Sequence, residues 1–458
     1  MSIGSLMRTN MLVRLSLVLT TAWLACAPLT AWAQFCNGFR GNNVGGINVD
    51  ADGVLAQPMA EGAKALLEGL RRDVKKPAGD LQQPVELRMV SLRGLEAAVA
   101  HAMKNNHGQM PDEVRFLAGL QRIQYVFVYP EENDIVLAGP GEGWKVRDDA
   151  TVVGVTTDRP VILLDDLIVA LQTATAAREK GISCSIDPTP EGRRNLDAFL
   201  AKQKVFNAAI PAQIEKVMGP QQITITGVPE DSHLARVLVG ADFRMKRIAM
   251  HLEPSPVKGL SSFIEMMKSK PGLSKDMMPR WWLACNYEPL AKSEDGLAWE
   301  LRGPGVKCMT EDDFIGADGD VKSTGKQNPI ALAWAKKMTE LYDELSVKES
   351  IFGELRNVMD CCVIAALIEK EGLLSKAKLE LPTILGSDNN LKLAKWNAPK
   401  HVATQSSFLK AGREFIITAS GGVDVTSWEV ASKSEVSDKV NKVRSGAKAP
   451  AGDAWWAN

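Results

Sequence analysis

The pattern of apolar and polar positions is clearest between residues 221 and 253. Residues 221–226 alternate polar and β-branched side chains, which is typical of a half-buried strand. Gly227, Val228 and Pro229 interrupt this alternation. Apolar residues at helical spacing follow: Leu234, Val237, Leu238, Ala241, Met245 and Ile248. This spacing predicts an amphipathic helix with one face in the core.

The start and the polar flanks of this helix suggest candidate chemistry. Pro229 suits the first helical position, and Asp231 as the N-cap is the alternative. Gly240 costs about 1 kcal/mol relative to Ala, which predicts close approach of another backbone or a ligand. Four cationic residues share one flank: His233, Arg236, Arg244 and Arg247. Since guanidinium groups suit carboxylates and phosphates, this flank is a candidate anion site, with a solvated basic face as the alternative.

Aspartates on the other flank were considered for acid/base chemistry. Asp231 and Asp242 are eleven residues apart, which places them about 16 Å apart along a straight helix. Paired glycosidase carboxylates need about 5–10 Å, so these two are not each other's partners. Asp242 and Asp187 are the candidates for a carboxylate-based hydrolase, but the sequence assigns no catalytic residue.

The same patterns predict strands and helices along most of the chain. Predicted strands span residues 47–55 (a hairpin), 123–129, 135–138, 160–164, 182–186, 281–287, 297–301, 407–418 and 423–430. Predicted helices span residues 59–74, 92–105, 167–180, 192–204, 211–218, 261–268, 328–345 and 348–370. Because the two kinds do not alternate strictly, we predict an α+β fold with mixed sheets and packed helices.

The first 33 residues have the pattern of a secretory signal peptide. Arg8 and Arg14 precede a short apolar run, and Ala31-Trp32-Ala33 is a small-residue cleavage pattern. A lipoprotein attached at Cys26 is the alternative. We therefore expect an exported protein, periplasmic or extracellular, without a membrane span after cleavage.

The remaining chain is predicted to form an N-terminal α+β domain (34–210), a C-terminal α+β domain (211–432) and a flexible tail (433–458). The full chain has 54 basic and 55 acidic residues, which give a net charge of -1. This balance offers no electrostatic footprint for nucleic acid.

Cysteines and loops supply the remaining candidates. Six cysteines follow the predicted cleavage point, and the disulfide considered first joins Cys285 to Cys308. Trp144 ends a glycine-rich loop that begins at Gly139, where it could cover a ligand, although a tight corner is the alternative. The chain lacks a Gly-x-Ser-x-Gly elbow, an HExxH motif and metal-spaced histidines, so no metal site or cofactor is predicted.

Several motifs resemble a family of exported bacterial proteins that is known only as a domain of unknown function. The matching motifs are the Gly-Val-Pro to Arg-Met-Lys-Arg run within 227–247, residues 139–144, 184–189, the Trp281-Trp282 pair and residues 420–423. The resemblance extends from about residue 40 to about residue 430. It implies export and a shared fold, and it brings no activity.

Two functional hypotheses follow. The first is an exported binding or structural module of the cell envelope, whose partner could be an anionic small molecule or an envelope polymer. The second is a secreted hydrolase with a carboxylate-based active site.

Overall fold

The structure is a computed structural model. It describes residues 43–44, 47–57, 60–203, 207, 209–268, 278–315, 321–323, 328–386, 391–411, 413–418, 420–451 and 454–458. The predicted signal peptide and Cys26 lie outside these residues.

Within these ranges the helices and strands confirm the α+β class. The helices are α1 (Ala60–Asp73), α2 (Leu92–Asn105), α3 (Asp112–Arg115), α4 (Leu164–Lys180), α5 (Pro190–Leu200), α6 (Ile210–Met218), α7 (His233–Ala249), α8 (Phe263–Lys268), α9 (Pro329–Glu340), α10 (Tyr342–Lys348), α11 (Ser350–Glu371), α12 (Leu373–Ala377), α13 (Pro382–Leu385), α14 (Ser427–Ala431) and α15 (Asp438–Gly446). The strands are β1 (Asn43–Val44), β2 (Ile47–Val49), β3 (Val54–Ala56), β4 (Val85–Ser91), β5 (Tyr125–Tyr129), β6 (Asp134–Gly141), β7 (Trp144–Val146), β8 (Val152–Gly154), β9 (Ile182–Pro188), β10 (Gln221–Thr226), β11 (Met278–Asn286), β12 (Leu290–Lys292), β13 (Ala298–Glu300), β14 (Gly305–Ile315), β15 (Val321–Ser323), β16 (His401–Val402), β17 (Ser406–Ala411), β18 (Arg413–Thr418), β19 (Ser420–Val425), β20 (Ser434–Val436) and β21 (Trp456–Ala457).

Two large mixed sheets organise the described residues. The first has the order β1-β2-β3-β16-β10-β9-β19-β11-β14-β15, and the second has the order β20-β12-β13-β5-β6-β4-β21. Each sheet takes strands from both sides of the predicted boundary at residue 210. The division into two domains itself stays a prediction.

The predicted tail contributes to this architecture. Residues 433–458 include β20, α15 and β21, and β21 pairs with β4 through Trp456 opposite Val90. This segment therefore contains regular structure where the sequence led us to expect a flexible tail. Its composition of small and charged residues suggested disorder, whereas strand pairing depends on partners far away in the chain.

Helix α7 confirms the predicted amphipathic helix, but its start differs from the prediction. All six apolar stripe residues are buried. The helix begins at His233, and Ser232 is the N-cap: its Oγ accepts a hydrogen bond from the Ala235 N–H at 3.1 Å. Pro229 and Asp231 were therefore wrong as the first helical residue and the N-cap. Ser232 satisfies an otherwise unpaired N–H group, which explains this choice of start.

Helix α7 is enclosed on its polar flank too. It packs against β9 and β19 on one side and against α11 on another. A Cβ added at Gly240 would lie 2.9 Å from the Ile351 Cδ1 atom on α11. The close approach predicted at Gly240 is thus confirmed, although a side chain approaches rather than a backbone or a ligand.

Helix α11 is buried over nearly its whole length. Every residue from Ser350 to Ile368 is buried, including the ionisable side chains of Glu354, Arg356 and Asp360. It packs against α4, α7 and α14. No described helix is long and apolar enough to cross a membrane.

Candidate functional site

The predicted cationic flank of α7 is satisfied by internal partners. The Arg244 guanidinium pairs with Glu253 and, at 2.8 Å, with Glu349. Arg247 Nε donates to Glu253 at 3.1 Å. Arg236 is fully buried, with its Cζ atom 5.0 Å from the centre of the Trp396 ring. The alternative of a solvated basic face is wrong, because carboxylates and an aromatic ring cover the flank.

His233, the fourth member of the flank, lies in a buried cluster of acids. Its Nδ1 atom lies 2.9 Å from Asp166 Oδ2 on α4, and its Nε2 atom lies 4.0 Å from Glu354 Oε1 on α11. Glu354 Oε2 has no hydrogen-bond partner within the described residues. We call Asp166, His233 and Glu354 the acid–histidine cluster.

Burial and mutual charge shift the proton affinities in this cluster. Burial alone would lower the pKa of His233, but the charge and hydrogen bond of Asp166, together with Glu354, raise it to about 9. Burial raises the pKa of Glu354 to about 7, although the nearby His233 cation opposes this shift. At neutral pH His233 is therefore charged, while burial shifts Glu354 towards its protonated form.

Segment 391–400 covers the exposed edge of the cluster. The backbone N–H of Trp396 donates to the Asp231 carbonyl at 2.9 Å, and the Trp396 ring centre lies 5.5 Å from that of His233. The Ala394 N–H donates to Asp165 Oδ2 at 3.3 Å. These contacts hold the segment against the first turns of α4 and α7.

Asp242 lies in a second buried polar group, between α7 and the first sheet. Its Oδ2 accepts from Lys246 Nζ at 2.8 Å, and Nζ also donates to the carbonyls of Ile186 at 3.2 Å and Gly421 at 3.4 Å. Burial raises the pKa of Asp242 to about 6, against the charge of Lys246. Asp187 lies close enough to raise the same pKa by charge repulsion. The two candidate carboxylates are therefore neighbours, but the Asp242 side chain has no solvent-exposed surface.

The Gly139–Trp144 loop proves to be a tight structural corner. Trp144 is buried, and its Nε1–H donates to the Lys75 carbonyl at 3.0 Å. The Glu142 carboxylate accepts from Gln121 Nε2 at 2.8 Å and from the backbone N–H groups of Thr156 and Thr157, each at 3.0 Å. These hydrogen bonds fix the loop to residues 154–157, so Trp144 does not cover a ligand here.

The predicted Cys285–Cys308 disulfide is not formed. All five described cysteines are free and buried. In the β11–β14 ladder Cys308 lies opposite Leu283, and Cys285 lies opposite Val306. Such diagonal neighbours are about 7–8 Å apart, beyond the usual disulfide span.

An open groove lies elsewhere on the surface, with a cavity of about 370 Å³. Its lining residues come from several segments of the chain: Arg71, Lys145, Val146, Arg147, Asp148, Asp158, Val347 and Lys348. Four of them are cationic and two are acidic. We call this site the cationic groove.

The cations of the groove differ in how they are paired. Arg71 pairs with Asp148, and Lys145 Nζ lies 2.7 Å from Asp158. These pairs are partly or largely exposed, and such pairs contribute little to stability. The Lys348 ammonium forms no hydrogen bond or ion pair with the residues that the structure describes. An anion could therefore recruit these side chains at small cost.

Arg147 forms the inner wall of the groove. Its Nη1 donates to the Val347 carbonyl at 2.6 Å, and its Nη2 donates to the Lys348 carbonyl at 3.1 Å and to Asp149 at 2.7 Å. Arg147 and Asp149 also shift the pKa of Glu354 by their charges, in opposite directions. The groove and the acid–histidine cluster are thus electrostatic neighbours.

None of the site residues predicted from sequence lines this groove. The sequence signals at the groove are weak because its residues come from α1, β7, the following loop and the end of α10. Glu354 has a visible signal in the sequence, because it is an acid within an apolar helical run. No group of three or more potential metal ligands is placed to bind a metal in the described part of the chain.

Comparisons with known proteins identify part of the chain. No curated protein and no solved structure matches it. Residues 184–263, which include β9, β10 and α7, match the model of a family described as "Protein of unknown function (DUF1598)". This match confirms, over these residues, the resemblance to a family known only as a domain of unknown function.

Proposed function

We propose that the protein is an exported binding module that takes an anionic ligand at the cationic groove. The observation that carries this proposal is the open cavity, with its excess of two cationic side chains over acidic ones. The Lys348 ammonium and the exposed pairs of Arg71 and Lys145 provide charge that a ligand can reach. The polar lining favours a charged ligand, because sites for neutral ligands are lined mainly by apolar side chains.

The N-terminal sequence supports export, and either the periplasm or the extracellular space is the proposed location. Sequencing the N-terminus of the mature protein tests this part, with Gln34 as the expected first residue. A mature protein that retains residues 1–33 would contradict it.

Calorimetric titration tests the binding site with two probes of the same chemistry. Sucrose octasulfate represents a small polyanion, and dextran sulfate represents an anionic polymer. We expect the combined Arg71→Ala, Lys145→Ala and Lys348→Ala replacements to weaken binding by at least about tenfold, which corresponds to about 1.4 kcal/mol. Tighter binding of the polymer, compared per sulfate group, would favour an envelope polymer as the ligand.

The matched control replaces three exposed lysines outside the groove: Lys216, Lys439 and Lys442. It changes the net charge by the same amount, so a loss of binding that depends on overall charge alone would appear in both variants. Equal loss in both, or no binding to the wild type, would overturn the proposed site.

The alternative of a hydrolase that uses Asp242 and Asp187 has less support. Asp242 has no exposed surface, and Lys246 holds one of its oxygens. A substrate would have to part α7 from the sheet to reach it. Hydrolysis of an ester probe that is abolished by Asp242→Asn in a folded protein would restore this alternative.

A further inference from the structure

We propose that anion binding in the cationic groove is coupled to proton uptake by the buried carboxyl of Glu354. This coupling rests on the proposed function of the groove and adds a regulatory property to it. Val347 and Lys348 line the groove and lie just before α11, which carries the buried Glu354 on its first turns. The site would then bind its ligand more tightly as the surroundings become acidic.

The connection begins at Arg147. Its guanidinium lines the groove and donates hydrogen bonds to the carbonyls of Val347 and Lys348, which immediately precede α11. Glu354 lies on the first turns of α11 and is buried. The Arg147 charge favours the ionised form of Glu354. An anion that binds over Arg147 offsets this charge, and the protonated form of Glu354 becomes more favourable as a result.

Charged side chains on the neighbouring elements shift the pKa of Glu354 before any anion binds. His233 on α7 and Arg147 favour the carboxylate, whereas Asp166 on α4 and Asp149 in the groove loop disfavour it. His233 lies 4.0 Å from Glu354 Oε1, so the charge of Glu354 is balanced at close range. An additional negative charge in the groove acts on a group that is already poised between its two states.

The neighbourhood of Glu354 on α11 is polar enough to accept a proton. Glu354 Oε2, Ser350 Oγ and Asn357 Oδ1 all lack hydrogen-bond partners among the described residues. Positions 350, 354 and 357 share one face of a helix by their spacing. A protonated Glu354 would add a hydroxyl donor to a face that carries unused acceptors.

The coupling is tested by titrating the wild-type protein with sucrose octasulfate at about pH 7 in two buffers of different ionisation enthalpy. The sulfate groups of this probe remain ionised throughout. We expect net proton uptake on binding. We also expect the affinity to fall several-fold between about pH 5.5 and about pH 8.5, because each unit by which the bound anion raises the pKa of Glu354 corresponds to about a tenfold change in affinity. In Glu354→Gln, which mimics the protonated state, binding should become independent of pH and take up no proton.

The outcomes separate the two proposals. Binding without proton uptake in the wild type would overturn the coupling and leave the groove as the binding site. Proton uptake that persists in folded Glu354→Gln would assign the proton to another group and overturn the role of Glu354. Absence of binding at every pH would overturn both proposals. The wild-type measurement decides the coupling even where the Gln variant fails to fold.

Discussion

The two buried polar groups on α7 differ in how completely the fold seals them from water. At the start of the helix, the His233 and Asp166 side chains retain 6% and 7% of their surface. Two to three turns later, Asp242 retains none and Lys246 retains 5%. The first group lies beside Trp396 of segment 391–400 and the start of α11, whereas the second faces the strands of a ten-stranded sheet.

This difference separates a group that can exchange protons from one that holds the helix in place. Lys246 uses three acceptors, which match the three donors of an ammonium, so its charge is well satisfied. The acid–histidine cluster instead contains two acids for one histidine. One carboxylate oxygen in each group, Glu354 Oε2 and Asp242 Oδ1, has no hydrogen-bond partner among the described residues, so the two groups differ in the ratio of acids to cations. We infer that the Asp242–Lys246 pair is structural, and we place proton exchange in the other group.

The largest expected effect on the free energy of unfolding follows from breaking the buried Asp242–Lys246 pair. Lys246→Met leaves the Asp242 carboxylate without its counter-ion in a dry site. We expect the free energy of unfolding to fall by about 3–5 kcal/mol, because removing one partner of a buried ion pair leaves an uncompensated charge. Urea denaturation monitored by circular dichroism provides the measurement.

The matched control removes both charges of this pair. Asp242→Leu combined with Lys246→Met should recover most of the lost stability, since hydrophobic replacement of a whole buried pair is often neutral. A double variant as unstable as Lys246→Met alone would show that the shape of the site matters more than its charge. The comparison between the two groups would then lose its electrostatic basis.

A substitution in the acid–histidine cluster should lower the free energy of unfolding by a smaller amount that depends on pH. His233→Gln removes the cation between Asp166 and Glu354, and we expect a loss of about 1–3 kcal/mol near neutral pH. The folded-state pKa of His233 is raised to about 9 from the ordinary histidine value of 6.5. The stabilisation from its charge is therefore fully present below about pH 6.5 and is lost as the pH rises through about 9.

Urea midpoints of the wild type and His233→Gln, measured from about pH 6 to about pH 10, check this expectation. The difference between the two proteins should shrink across this window. The Asp242→Leu, Lys246→Met double variant is the control, because it removes both charges of the other pair, so its difference from the wild type should persist through the pH range in which His233 titrates. A constant difference between the wild type and His233→Gln would mean that packing, and not charge, accounts for the role of the histidine.

The sequence predicted the parts of α7 that local periodicity determines. The stripe from Leu234 to Ile248 repeats at helical spacing, and every stripe residue is buried as expected. The same periodicity placed Arg236 and Arg244 together on one flank but could not show what covers that flank. Glu349, which pairs with Arg244, and Trp396, which lies against Arg236, are both more than 100 positions further along the chain, whereas Glu253 follows the helix directly. A pattern within one helix contains no information about such partners.

Strand register was equally inaccessible from the sequence. Cys285 and Cys308 lie on the paired strands β11 and β14, but they lie diagonally and not opposite each other. A shift of two residues would have made them direct partners. The cationic groove shows the same limit, because Arg71, Arg147 and Lys348 become neighbours only through the tertiary fold.

The smallest expected effect concerns Arg244, whose ion pairs are more exposed than the two buried polar groups on α7. Arg244 retains 17% of its side-chain surface, and its partner Glu253 retains 13%. Because solvent and salt screen such a pair, Arg244→Ala should lower the free energy of unfolding by about 0.5–1 kcal/mol, and less at high ionic strength. Urea denaturation at low and high salt checks this, with Lys216→Ala as a control for the loss of one exposed cation. If Arg244→Ala lowered the free energy of unfolding as much as Lys246→Met at high salt, burial would not determine how much each charged group contributes to stability. The assignment of proton exchange to the acid–histidine cluster, which rests on its smaller burial, would then lose its support.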